Sequence, residues 1–113
     1  MSQSRELVAA SATPLVLAIL SRGESYGYAI IQEVRKLSDS EIEWTDGMLY
    51  PVLRRLEKQG LVLSEWRAGE TAKKRRYYSN NRCGHKVLQE HKRQWLVTNR
   101  LLNKLWEEAP CMI

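Results

Sequence analysis

Between Thr45 and Gly60 the apolar positions recur at helical spacing. Leu49, Val52, Leu53 and Leu56 make one stripe, while Gly47, Tyr50, Pro51, Arg54 and Lys58 fall on the opposite side. This predicts a helix of about four turns with a core face and a basic, aromatic outer face. Thr45 or Asp46 supplies its N-cap, Gly60 its C′ residue, and Lys58 a cation in the last turn, where it suits the helix dipole. Pro51 lies beyond the first turn, so it leaves the Gly47 carbonyl without a helical partner and predicts a bend or a tightened start.

Upstream, Leu7 to Leu20 reads as helical, with a dense apolar run from Leu15 to Leu20 that predicts burial on more than one side. Thr13 and Pro14 have the order of an N-cap and a first helical residue, which predicts a helix start there and a separate or kinked arm over residues 4–12. Gly23 ends this helix. Ser25 is the expected cap of a second, in which Ile30 or Ile31, Val34 and Leu37 repeat at helical spacing. A polar link, Ser38-Asp39-Ser40, and an extended Glu41-Ile42-Glu43-Trp44 then lead into the helix after Thr45.

Past Gly60 the period shortens. Residues 61–66 and 75–79 predict two strands of a hairpin whose polar tip contains Gly69. Asn81 is the expected N-cap of a last long helix that runs to about Glu108, before Pro110. Along it Leu88, Trp95 and Leu102 recur every seven residues, His91, Thr98 and Leu105 form the adjacent line, and Leu101 and Trp106 widen the stripe. A long helix that follows a complete compact unit has few surfaces of its own chain to cover such a stripe. A homodimer is the expected solution, with the first helix helping to cover it. Trp95 then either fills the dimer core or offers an aromatic plate to a flat ligand.

The 113 residues carry a formal charge of +5, which suggests an anionic partner. Lys73-Lys74-Arg75-Arg76 stands beside Tyr77-Tyr78 on the hairpin that follows the basic helix, the pattern of a wing straddling a phosphate backbone. Read alone, the run is equally a solvated loop. Membrane association is not expected, because no apolar run is long enough to span a bilayer; with no secretory signal evident, the cytoplasm is the default. Cys83 and Cys111 are far apart and read as free thiols; neither a metal site nor a cofactor is expected. An enzyme is disfavoured: the chain has neither a Gly-rich phosphate loop nor a His-Glu-x-x-His motif, and His85 and His91 fall on different sides of their helix.

The fold class expected is mainly α with a small β-hairpin wing, a winged helix-turn-helix carrying a long C-terminal dimerisation helix. In that setting the chain resembles the PadR family of bacterial transcription regulators. The resemblance rests on Gly23, Tyr26-Gly27-Tyr28, the block from Gly47 through Leu49-Tyr50-Pro51 to Arg55-Leu56-Glu57, Gly60-Leu61-Val62, Arg75-Arg76-Tyr77-Tyr78 and Gly84. It covers roughly residues 15–106, and the central block is its most specific part. Two departures stand out: Asn80-Asn81 where the family usually has Leu-Thr, and Pro14 within the first helix.

The resemblance implies a DNA-binding domain over residues 1–80, a dimerisation helix over 81–108 and a short tail over 109–113. It implies a homodimeric repressor on a palindromic double-stranded DNA operator, released by a small-molecule effector, for which a planar aromatic is the candidate. Expected DNA-binding residues are Thr45, Met48, Tyr50, Pro51, Arg54, Lys73, Lys74, Arg75, Arg76 and Tyr78. Trp95, Asn99, His91, Leu15 and Ala18 are expected at the effector site, and Leu88, Trp95, Leu102 and Leu105 at the dimer seam. The competing reading keeps the fold as a protein-interaction or RNA-binding module without sequence-specific DNA binding.

Overall fold

A computed structural model describes residues 3–68 and 73–108. In chain order the elements are α1 (Arg5–Ser21), β1 (Ser25–Tyr26), α2 (Gly27–Leu37), α3 (Asp46–Lys58), β2 (Val62–Ala68), β3 (Lys74–Asn80) and α4 (Arg82–Glu108). The expected hairpin tip around Gly69 and the tail over 109–113, with Cys111, lie outside the described residues.

The helix that organises the sequence forms as its pattern requires. Thr45 Oγ1 accepts a hydrogen bond from the Met48 amide at 3.3 Å, closing the N-cap. At the other end Gly60 takes a left-handed conformation, φ 77°, and the Leu61 amide reaches back to the Leu56 carbonyl at 2.9 Å. Leu49, Leu53 and Leu56 are fully buried and meet Val16, Leu17 and Ile30 in one core. Burial of these aliphatic side chains is the main force holding α1, α2 and α3 together, roughly 1.5–3 kcal/mol for each.

Three local expectations are corrected. Residues 4–12 are not a separate arm: α1 runs unbroken through Pro14, capped by Ser4, whose Oγ accepts from the Leu7 amide at 3.2 Å. Pro14 removes the helical partner of the Ala10 carbonyl, but Ala12 and Val16, on either side of it, are both buried in the core, and that burial offsets the lost bond. Ser25 does not cap α2. It pairs with Tyr78 as Tyr26 pairs with Tyr77, so the wing is a three-stranded antiparallel sheet in the order β1-β3-β2 rather than a bare hairpin. The link from Glu41 to Trp44 is tied down by Trp44, buried in the core, and by Ser38 Oγ, which accepts from the Ile42 amide at 3.0 Å. In α2 the buried stripe stops at Val34, and Leu37 is exposed.

The wing and α4 are joined at one corner. Asn81 Oδ1 caps α4 by accepting from the Gly84 amide at 2.8 Å, and its Nδ2 donates to the Gly60 carbonyl at 2.6 Å. Asn80, one of the two departures from the family pattern, donates to the Leu17 carbonyl at 2.9 Å. Leu88 is buried within the chain's own core, so its expected place in a dimer seam is corrected: this chain covers it. Beyond it, α4 leaves the body of the protein, and Leu96, Leu101, Leu102, Leu105 and Trp106 are exposed.

Candidate nucleic-acid interface

The outer face of α3, the start of α2 and the inner face of the wing enclose an open cleft of about 460 Å³. Each wall follows from a local pattern. Tyr50 and Arg54 reach it because they are one turn apart on the face of α3 opposite Leu49, Leu53 and Leu56. Trp66, Lys74, Arg76 and Tyr78 reach it because alternate strand residues share a face, and Trp66 pairs with Arg76 in register. Tyr26, Gly27 and Tyr28 enter from the chain turn between β1 and α2.

Its cations are of two kinds. Arg54, Lys74 and Arg75 are exposed, and the Arg75 guanidinium lies over the Tyr26 ring, 4.4 Å from its centroid. Tyr26 in turn meets Tyr77 edge to face at 5.4 Å, so an aromatic pair holds the arginine at the rim. Arg76 is half-buried and engaged from within. It donates to Glu57 Oε1 at 3.1 Å and to Ser64 Oγ at 2.9 Å, which sets it apart from the other expected phosphate anchors. Its guanidinium packs near Trp66 and Tyr78. Tyr78 forms the floor at 2% exposure; burial pushes its hydroxyl above the usual tyrosine range, with Arg76 opposing. That keeps the phenol neutral across ordinary pH, as a hydrogen-bonding group rather than a charge.

Other expected contacts are placed elsewhere. Thr45 is exposed at the start of α3 and uses its oxygen as the cap. Pro51 is exposed on α3, and Lys73 is exposed next to the wing strand; neither lines the cleft. Met48 does not line the cleft: it is half-buried and packs toward α1, in a hollow it shares with Ala9, Ala12 and Val52. Four cleft residues were absent from the expected set: Tyr26, Gly27, Tyr28 and Trp66. The aromatic-Gly-aromatic triplet was the available signal for the first three. Trp66, 61% exposed at the end of an apolar strand, was the signal for the fourth.

A second, apolar groove of about 370 Å³ lies between α1 and α4. Leu15, Ala18 and Trp95 line it, joined by Leu7, Pro14 and Leu88. His91 and Asn99, each one turn from Trp95 on α4, do not line it.

Among the described residues no helix is long and apolar enough to cross a membrane. The model of the transcriptional regulator PadR-like family matches residues 16–90, more than half of the chain. The fold is similar to that of a transcriptional regulator from Clostridium thermocellum, at 30% sequence identity and a TM-score of 0.81, covering 89% of this chain and 98% of that one. It is also similar to a PadR family transcriptional regulator from Eggerthella lenta, at 40% identity and a TM-score of 0.76, covering 92% of this chain and 88% of the other. In sequence the chain is 32% identical over 94 residues to the transcriptional regulator YqjI of Escherichia coli K12; the match covers 83% of this chain and 40% of the length of that relative.

Proposed function

The chain belongs to the PadR-like family of transcriptional regulators, and we propose that within it the protein is a homodimeric repressor that an effector releases from a palindromic operator. The observation that carries this reading is the shared cleft in which Tyr50 and Arg54 of α3 face Lys74 and Arg75 of the wing. One element of that pair has the dimensions to enter a major groove and the other the charge to hold the flanking backbone. Arg54, Lys74, Arg75 and Lys73 would anchor phosphates, while Tyr50 and Thr45 set register and read bases.

Dimerisation would run through the outer part of α4, where Trp95, Leu102 and Leu105 expose apolar surface that this chain does not cover. Two copies of α3 related by a two-fold axis then favour half-sites about one helical turn apart, or a simple multiple of that distance. The division of labour follows the chain: residues up to 80 for DNA, 81–108 for assembly.

The groove between α1 and α4 is the proposed effector site, with Trp95 as an aromatic plate for a planar ligand. Because α1 also packs on α3, a ligand bound there releases DNA to the extent that it binds one spacing of the two recognition helices better than the other. The test is binding to the DNA upstream of the protein's own gene and to a scrambled duplex, with and without a panel of planar aromatic compounds. Selective binding that one compound abolishes supports the reading. Equal, weak binding to both duplexes favours the interaction module, and selective binding that no compound alters leaves a regulator without this effector site.

A further inference from the structure

Arg76 sits at the base of the wing in a closed set of side-chain hydrogen bonds that spans three elements of the interface. Its NH2 group lies 3.1 and 3.3 Å from the two carboxylate oxygens of Glu57, in the last turns of α3. Its Nε donates to Ser64 Oγ on β2 at 2.9 Å, and Ser64 Oγ donates to Glu57 Oε2 at 2.6 Å. Each of the three side chains therefore bonds to the other two, and the cluster carries no net charge. The Trp66 ring, 5.6 Å from the guanidinium carbon, packs on its exposed side.

We propose that Glu57, Ser64 and Arg76 are positioning residues that fix the angle of the wing against the recognition helix. Arg76 acts through Glu57 and not by contact with phosphate. The inference rests on the DNA-binding reading above and adds to it.

Three physical arguments support the assignment. A carboxylate facing a polyanion opposes binding unless it is neutralised, and Glu57 is neutralised within the chain. Arg76 leaving for a phosphate would strand that half-buried carboxylate beside DNA, whereas Lys74 and Arg75 are exposed and face no such cost. A wing already held at the correct angle pays less ordering entropy on binding, which is how a contact remote from DNA raises affinity. The planar fork of arginine is needed, because a lysine ammonium is a point charge and does not reproduce the flat, two-sided geometry toward hydroxyl and carboxylate.

The experiment uses the full chain and the tightest duplex that it selects from a random-sequence DNA library, with affinities measured across a salt series. E57Q removes a negative charge next to Arg76 of the cleft, so charge alone predicts tighter binding. The clamp predicts binding about tenfold weaker. R76Q is expected to weaken binding to a similar degree, and the double variant, which leaves the net charge of the pair unchanged, to be no worse than either single one and to keep the parent's salt slope. S64A alters no charge and is expected to weaken binding a few-fold, with thermal unfolding confirming that each variant is folded. Exchange of the pair, E57R with R76E, is expected to recover most of the affinity that either change alone loses.

E57Q binding as tightly as the parent, or the double variant lowering the slope by about one counterion, overturns the proposal and returns Arg76 to the phosphate contacts. Failure to select any duplex is a different result: it overturns the operator reading and this proposal with it.

Discussion

The ring of Tyr50 fills the space that Gly27 leaves open. A Cβ on Gly27 would lie 2.7 Å from Tyr50 Cζ, well inside the separation of non-bonded carbons. The start of α2 thus sets where the tyrosine of α3 points. Tyr26 and Tyr28 flank that glycine in the same cleft, so a short sequence motif and an interface side chain are one device.

Gly27→Ala is therefore a test of aim rather than of folding. The atoms in the way belong to the far end of a side chain, which can swing into the cleft, and Gly27 has no left-handed φ, so an alanine there meets no backbone strain. The expected outcome is a thermal midpoint within a few degrees of the parent and DNA binding about tenfold weaker. A variant that binds normally would show that the position of Tyr50 does not matter.

Gly84 presents the opposite case. A Cβ there would lie 3.1 Å from the Leu61 carbonyl carbon and closer still to its oxygen, and backbone cannot swing away. Gly84→Ala is expected to cost about 2 kcal/mol or more by overpacking. Urea unfolding reads this as a lower midpoint with an unchanged slope. An unchanged midpoint would mean that the corner between α3 and α4 yields easily.

What the sequence made legible follows the strength of the local signal. α3 was legible because Leu49, Val52, Leu53 and Leu56 agree with both caps. Asn81 was legible as a cap for the same reason: its side chain does what its residue type suggests. Pro14 misled because a proline rule is local, whereas the burial of Ala12 and Val16 is a property of the whole core. β1 was invisible because two residues show no period, and their pairing with Tyr77 and Tyr78 is a long-range fact. Arg76 looked equivalent to Lys74 and Arg75 in a run of cations. Only Glu57 and Ser64, 19 and 12 residues away, distinguish it.

Tyr78 makes stability depend on alkaline pH. Burial raises its pKa, so the folded state holds the phenolic proton more tightly than the unfolded state does. Its contribution is fully present below the unfolded value, about pH 10, and is lost as the pH rises through the higher folded value. Thermal midpoints are expected to fall over that alkaline window, and Tyr78→Phe to flatten the fall. A variant whose alkaline curve matched the parent's would place the titration elsewhere.

The exposed stripe on α4 predicts its own disruption. Leu105 is 51% exposed in the single chain, so Leu105→Glu removes little from the fold while it places a charge in the proposed seam. Sedimentation is expected to show a dimer for the parent and a folded monomer for the variant, with DNA affinity lost in parallel. A variant that stays dimeric would move the seam off this line of α4.

The central claim, that two copies of one basic helix and wing grip a duplex, is tested most directly by the salt dependence of binding to a selected duplex, with stoichiometry measured alongside. Arg54, Lys73, Lys74 and Arg75 from two chains are expected to give two chains per duplex and a slope of log affinity against log salt of about −7. A shallow slope, or the same affinity for a scrambled duplex, would contradict the account.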